Sequence, residues 1–427
     1  MLEKTNAGSW YEATATRTPI YPKLVGARIA DVTVIGAGYT GLSTALHLAQ
    51  LGYDVCIVEQ KTVGWGASGR NGGQICTGQR QDMFELEKIL PYDEAKKLWF
   101  LAEEAKSLVR SLIKKHNIPC DLKQGQITVA SKTSHYRYLC NYVDHLRSRY
   151  SYKEMAVFDK KQVEDYVATT LYHGGLVDYG AGHLHPLNFS LGLAELATTA
   201  GANIFQNSSV TKIDRKDSGY IVQTESGSLK TDCVVIACNG YLEKLEPRLS
   251  NSIMPINNFI LATEPLGKEK ANSLIRDNLA VTDTKFVVNY FRLSSDYRLL
   301  FGGGETYSTR FPKDIGAFVR PYMLRVFPEL ETTKIHYSWG GKLAITRNRL
   351  PVFGRLDDNI YYALGYSGQG VALATLSGKI LAEAISKTVS DFDIFCQLPR
   401  KPFPGGSSLR WPILALAMTY YSIRDRL

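Results

Sequence analysis

The strongest constraint on this chain is Gly36-Ala37-Gly38-Tyr39-Thr40-Gly41, three glycines spaced GxGxxG between a strand-like and a helix-like run. Ahead of it lies Asp31-Val-Thr-Val-Ile35, short and β-rich. Behind it, Thr40 to Leu51 places Leu42, Ala45, Leu46 and Ala49 at the spacing of one helix face, and Gly52 stops the run. Asp54 to Glu59 predicts a second strand. Strand, glycine turn, helix and strand make the opening βαβ unit of a Rossmann-type domain. In that geometry Gly36 permits the tight turn, Gly38 lets the backbone approach a pyrophosphate, and Gly41 lets helix and strand pack closely. The helix N-terminus offers its unpaired N–H groups to the phosphates. Glu59, eighteen residues beyond Gly41, ends the second strand, where a carboxylate accepts hydrogen bonds from an adenosine ribose. The fingerprint occurs once, so electrons are expected to leave to molecular oxygen or a protein carrier and not to a second, nicotinamide site.

A second motif follows directly: Gly64-Trp65-Gly66-Ala67-Ser68-Gly69-Arg70-Asn71-Gly72-Gly73-Gln74. Five glycines within ten residues disfavour both helix and strand. A backbone that must come close to a flat ligand accounts for them, with Ser68 and Arg70 suited to phosphates. The GxGxxG turn, Glu59 and the Gly64–Gln74 loop together resemble the D-amino-acid oxidase superfamily of FAD enzymes, most of all its gamma-glutamylputrescine oxidase branch.

The resemblance extends over nearly the whole chain. Asp178-Tyr-Gly-Ala-Gly-His183-Leu-His185-Pro186 is similar to the segment leading into the second cofactor-binding piece. Cys233-Val-Val-Ile-Ala-Cys-Asn239-Gly240 resembles the strand that ends in a turn near the cofactor. Trp339-Gly340-Gly341, with Pro351 and Gly354, resembles the stretch under the flavin ring, and Gly365-Tyr366-Ser367-Gly368-Gln369-Gly370-Val371 the last flavin loop. A helix starting near Val371 would stabilise negative charge on a reduced flavin. The resemblance also implies cofactor contacts at Gln60 and Val210. It predicts an α/β (α+β) fold: a discontinuous Rossmann-type FAD-binding domain plus a substrate domain with a mixed or antiparallel sheet and helices. The expected pieces are 28–80, 151–250 and 339–395 for FAD, 81–150 as a helical insertion of the substrate domain, 251–338 as the substrate sheet, and 396–427 as a tail.

Two departures from relatives of the sarcosine-oxidase kind matter. Their flavin-linking cysteine has no counterpart, because Lys342 to Leu350 contains none. FAD is therefore expected to be held non-covalently. The lysine beside the flavin that helps oxygen react aligns with Leu300.

Composition excludes other classes. Lys plus Arg is 50 against 41 for Asp plus Glu, a mild +9 with no basic run of five, which argues against a nucleic-acid role. Seven cysteines without CxxC spacing, several inside apolar runs, read as reduced thiols in a cytoplasmic protein, with no disulfide frame and no metal site. Residues 1–27 read as an irregular polar leader broken by Pro19 and Pro22, without a signal peptide, and no run is apolar enough to span a membrane. The tail Leu409 to Leu427 reads as docked on the body rather than lying on a membrane, because Ser and Thr interrupt its apolar face.

The substrate side is expected on the 253–340 sheet, with Tyr290, Arg292 and Trp339 as candidates beside Tyr366 and Gln369. Arg292 would hold a carboxylate, and aromatic faces would hold an amine. His183 and His185 read as satisfied loop histidines rather than bases, and no single catalytic residue can be singled out. The expected activity is oxidation of a primary amine in a gamma-glutamylputrescine-like conjugate to an aldehyde, releasing ammonia and hydrogen peroxide. The alternatives are an amino-acid or N-methyl-amino-acid dehydrogenase feeding a quinone or protein carrier, and a non-catalytic module binding RNA or protein.

Overall fold

The computed structural model describes residues 8–306, 310–388 and 391–403. Two sheets organise them. The first, of eight strands, runs Val352–Leu356, Ile360–Leu364, Gly227–Ile236, Gly26–Ile35, Val55–Val58, Asn203–Phe205. From Ile360–Leu364 onward the neighbours are parallel. Val352–Leu356 and the hairpin Val210–Lys216/Gly219–Thr224 add antiparallel strands. Val55–Val58 is buried at every position, as a parallel strand covered on both faces must be. The helices Tyr39–Gln50 and Gly370–Ile385 pack so closely that a Cβ at Gly378 would lie 2.5 Å from Ser43 Cβ. This Rossmann-type sheet is assembled from widely separated stretches, as expected.

The second sheet has nine strands, ordered Ile335–Ile345, Met254–Thr263, Leu299–Thr306, Tyr290–Leu293, Ala280–Asp283, Lys123–Val129, Gly175–His183, Gln74–Ile75, with Met155–Phe158 also on Gly175–His183. One pairing, Ala280–Asp283 with Lys123–Val129, is parallel and the rest are antiparallel. Alternation along the strands gives each face its own role. Ile127, Val129, Val177, Phe259, Leu261, Val281 and Phe291 point into a core shared with the helix Ile315–Val326. Gln126, Thr128, Leu176, Asp178, Asn258, Thr282 and Tyr290 point the other way, into a large cavity.

Three stretches differ from expectation. The 81–150 region carries the helices Met83–Ile89, Tyr92–His116 and Thr133–Tyr150, but its strand Lys123–Val129 sits inside the second sheet. The strands Met155–Phe158 and Gly175–His183, and Trp339 to Ile345, also belong to that sheet and not to the Rossmann sheet. The leader is partly ordered: Trp10–Ala13 is a helical turn closed by a Ser9/Glu12 capping box, with Trp10 and Tyr11 buried. The tail from 404 onward lies outside the described residues.

Candidate active site

Both sheets open onto one cavity of about 1600 Å³. Small-molecule sites commonly occupy ~300–1,000 Å³, so this one has room for a dinucleotide and a substrate together. Its floor on the Rossmann side is Gly36 to Thr40. Gly36 has φ +107°, and a Cβ there would lie 3.0 Å from the Ala237 carbonyl oxygen. The helix Tyr39–Gln50 starts on Gly38, which has no side chain to cap it, so the N–H groups of its first turn beyond Tyr39 are left for an anion. A Cβ on Gly38 would fall 2.8 Å from Ser68 Oγ, which itself accepts from Tyr39 N at 3.0 Å. Gly41 faces away from the cavity; its Cβ would strike Gly36 O at 1.9 Å, the helix-on-strand contact.

Glu59 stands beside this turn. Its Oε2 accepts from Ala37 N and its Oε1 from Lys61 N, each at 2.8 Å. Burial pushes its carboxyl above the usual range, and the backbone N–H groups pull it back. Gln60, Trp65, Gly66, Ala67, Ser68, Asn71, Gly72, Gln74, Val210 and Asn239 join it on the wall. Asn71 stiffens the loop by donating to Ala67 O and Ser68 O at 2.9 Å. Gly69 and Gly73 do not line the cavity; their Cβ atoms would meet Gly64 O at 2.3 Å and Leu184 O at 2.0 Å. Arg70 does line it, but its guanidinium is taken up by Trp65 O at 2.7 Å and Glu12 Oε1 at 2.8 Å.

The last loop closes the opposite end. Asn239 Oδ1 accepts from Gly365 N at 2.9 Å, and Tyr366 hydrogen-bonds Thr40 Oγ1 at 2.7 Å, tying the third Rossmann piece to the first. Burial pushes the Tyr366 phenol up to about 12. Ser367 and Gly368 take positive φ, and Gln369 Nε2 donates to Thr77 O at 3.2 Å and Gly78 O at 2.9 Å. The helix Gly370–Ile385 again begins without a side-chain cap, with Gly370 and Val371 on the cavity wall. Gly240, Gly340 and Gly365 pack behind the lining residues.

The substrate side forms around Tyr290, whose hydroxyl donates to Asn258 Oδ1. Thr282 Oγ1 donates to Gln74 Oε1 at 3.3 Å, and Gln74 Nε2 to Val281 O at 3.1 Å. Arg80, Lys285, Arg347 and Arg349 supply cations to the lining, and Asp178 and Asp283 supply carboxylates. Of these, the sequence singles out only Arg347 and Arg349, as the alternatives to Arg292 for a carboxylate. The two-residue alternation along other strands of the same sheet would have found Asp178, Gln126 and Asn258.

Arg292 and Trp339 do not reach the cavity. Arg292 is 3% exposed and donates to Gly72 O at 2.7 Å, Leu184 O at 3.0 Å, Leu293 O at 3.1 Å and Tyr11 Oη at 3.2 Å. With its donors so engaged, it is a brace and not a free carboxylate receptor. Trp339 gives its indole N–H to Arg70 O at 3.1 Å and packs edge-on against Tyr11. His183 and His185 also miss the cavity. Burial, with the charge of Arg292 adding, holds both down to about 3, so both are neutral. His185 caps the helix Pro186–Thr199 through Nδ1, and His183 bonds Asn278 O through Nε2.

The fit to FAD rests on the two uncapped helix N-termini, the cradle that a Cβ at Gly38 would obstruct, and the carboxylate of Glu59. Comparison with known proteins agrees. A family model described as FAD dependent oxidoreductase, DAO, matches residues 31–384. Gamma-glutamylputrescine oxidoreductase of Escherichia coli (strain K12) is 40% identical over 428 residues, covering 100% of both chains. A probable oxidoreductase OrdL of Rhizobium meliloti (strain 1021) is 40% identical over 418 residues, 98% of this chain and 97% of that one. Among solved structures, glycine oxidase from Geobacillus kaustophilus superposes with a TM-score of 0.74 at 22% identity, covering 87% of this chain and 99% of its own, which shows the shared fold. The chain belongs to the DAO family of FAD-dependent oxidoreductases.

Proposed function

We propose that this oxidoreductase acts on the terminal primary amine of a gamma-glutamyl polyamine conjugate. The observation that carries the reading is full-length 40% identity to a gamma-glutamylputrescine oxidoreductase, joined to a cavity lined by both carboxylates and arginines. The net reaction takes R–CH2–NH2, dioxygen and water to R–CHO, ammonia and hydrogen peroxide. Bound FAD, held by Gly36 to Thr40, Glu59 and the 365–371 loop, supplies the two-electron acceptor.

The protein's own part is positioning. The amine must be unprotonated before its carbon can lose hydride, and alignment in a closed site contributes much of the acceleration. Tyr290, braced on Asn258, and Gln74, braced on Thr282 and Val281, present fixed polar atoms to the substrate chamber. The conjugate's alpha-carboxylate needs a cation in a chamber that excludes water. Arg292 is engaged elsewhere, so we assign that contact to the cavity-lining pair Arg347 and Arg349. All seven cysteines are free thiols, which supports a cytoplasmic setting.

The test is anaerobic mixing of the holoenzyme with gamma-glutamylputrescine, putrescine, sarcosine and glycine. The conjugate should bleach the flavin fastest, and in air should yield peroxide and ammonia in equal amounts. Bleaching by an amino acid but not by the conjugate would overturn the substrate. Bleaching by the conjugate without peroxide in air would replace oxygen by a carrier.

A further inference from the structure

We infer that Asp178 is the anionic contact for the substrate's ammonium group. Asp178 lies on the strand Gly175–His183, on the same face as Leu176, and lines the cavity although it is only 4% exposed. Its Oδ1 accepts from Tyr152 Oη at 2.7 Å and from Gly180 N at 2.9 Å. Its Oδ2 accepts no hydrogen bond from the described residues. That oxygen is not sealed inside the protein; it opens onto the cavity, where a cation or a hydrogen-bond donor of a bound molecule can meet it.

The buried cation beside it does not fill that role. Lys106 is buried next to this site, but it donates to Thr77 Oγ1 at 2.7 Å and to Tyr152 Oη at 3.1 Å, and its ion pair is with Glu103 Oε1, at 2.8 Å. Lys106 therefore neutralises Glu103 and leaves Asp178 with a neutral phenol as its partner. No Lys, Arg or His nitrogen among the described residues forms an ion pair with Asp178. The connected set of Glu103, Lys106, Tyr152 and Asp178 carries a formal charge of −1, and Arg110 beside it gives its guanidinium to Gly180 O at 2.8 Å and Ala181 O at 3.0 Å rather than to Asp178. Thr77 links the set to the flavin loop, because its carbonyl accepts from Gln369 Nε2. An alkylammonium entering the cavity gives Asp178 the ion pair it lacks and takes up Oδ2, while Tyr152, fixed by Lys106, keeps the carboxylate oriented.

This inference rests on the amine-oxidising reading of the cavity, and its test separates the two. tert-Butylammonium has no hydrogen on the carbon next to nitrogen, so it binds without being oxidised; tert-butanol is its neutral counterpart. Each is titrated into holoenzyme, and binding is read from the perturbation of the flavin absorbance band. Wild type should bind the ammonium more tightly than the alcohol. Asp178→Asn should lose roughly 10- to 100-fold in ammonium affinity, the range for a charged hydrogen bond in a buried site, and little for the alcohol. Asp178→Glu, with its charge intact, should keep the preference. A wild type indifferent to charge would overturn the assignment, even if Asp178→Asn fails to retain FAD. An Asp178→Asn protein with the preference undiminished would overturn it as well. Neither result depends on whether any conjugate is oxidised.

Discussion

Arg292→Ala should be a stability variant and not a specificity variant. Its guanidinium supplies hydrogen bonds to three backbone carbonyls, Gly72, Leu184 and Leu293, and to Tyr11 Oη, in a site 3% exposed. Each buried acceptor left unpaired costs about 1–3 kcal/mol. One planar fork serves all of them, so the losses overlap, and the net cost is about 3–5 kcal/mol. Unfolding entropy of ~2.1 cal/mol/K per residue over 427 residues is roughly 0.9 kcal/mol/K, so the melting temperature should fall about 3–6 °C. FAD should also bind more weakly, because Gly72 belongs to the cavity wall. Arg292→Lys should fall between, since an ammonium cannot reproduce the fork. The assay is thermal unfolding with and without added FAD, alongside kcat/KM for gamma-glutamylputrescine and for putrescine. Losses should be similar for the two substrates. A wild-type melting temperature combined with a loss confined to the conjugate would refute this account and return Arg292 to the substrate.

Other outcomes are open to direct measurement. Glu59→Ala should weaken FAD binding by roughly 10- to 100-fold, from about 1.5–3 kcal/mol of charged hydrogen bonding, with the fold recovered at high FAD; unchanged affinity would contradict its place in the adenosine end of the site. Acid or heat should release intact FAD into solution, because Lys342 to Leu350 offers no cysteine, and flavin remaining on the denatured chain in a gel would refute that. Stability should fall as pH drops below about 6.5: His183 and His185 are held near 3 when folded but take protons near 6.5 when unfolded, so the unfolded chain binds more protons in that window. The slope should approach about 1.4 kcal/mol per pH unit for each histidine, and urea midpoints that do not move between pH 7.5 and 5.5 would show that the two rings are protonated in the fold.

The first half of the Rossmann sheet was legible because each of its glycines answers a local geometric need. Gly36 must take positive φ, Gly41 must admit Gly36 O, and both requirements follow from a strand that turns at once into a helix. The leader was harder to read. Ser9-Trp-Tyr-Glu12 is a capping-box spelling, but Pro19 and Pro22 dominate the stretch, and nothing local says that Tyr11 will pack against Trp339, over three hundred residues away. The strand Lys123–Val129 was hidden for a related reason. It lies between two long charged helices, and its parallel partner Ala280–Asp283 comes from the far side of the chain.

The misplacement of Arg292 shows how far local pattern reaches. Tyr290 and Arg292 are two apart on one strand, so alternation puts both on the cavity face, and to that extent the sequence reading is correct. The difference is the Gly72–Gln74 segment, which crosses that face. Gly72 comes so near Tyr290 that a Cβ would lie 2.8 Å from its ring, and Gly73 approaches Leu184 O and the Arg292 guanidinium. The glycines that suggested a backbone pressed against a flat ligand are in part pressed against the protein itself. Gly38 and Gly72 border the cavity, while Gly69 and Gly73 let the loop lie flat on its neighbours. The covering segment converts one of two equivalent face positions into a buried brace and leaves the other as wall. Asp178 escapes this fate. Tyr152 and Gly180 engage only its Oδ1, and it reaches the same cavity with an oxygen to which no described residue donates.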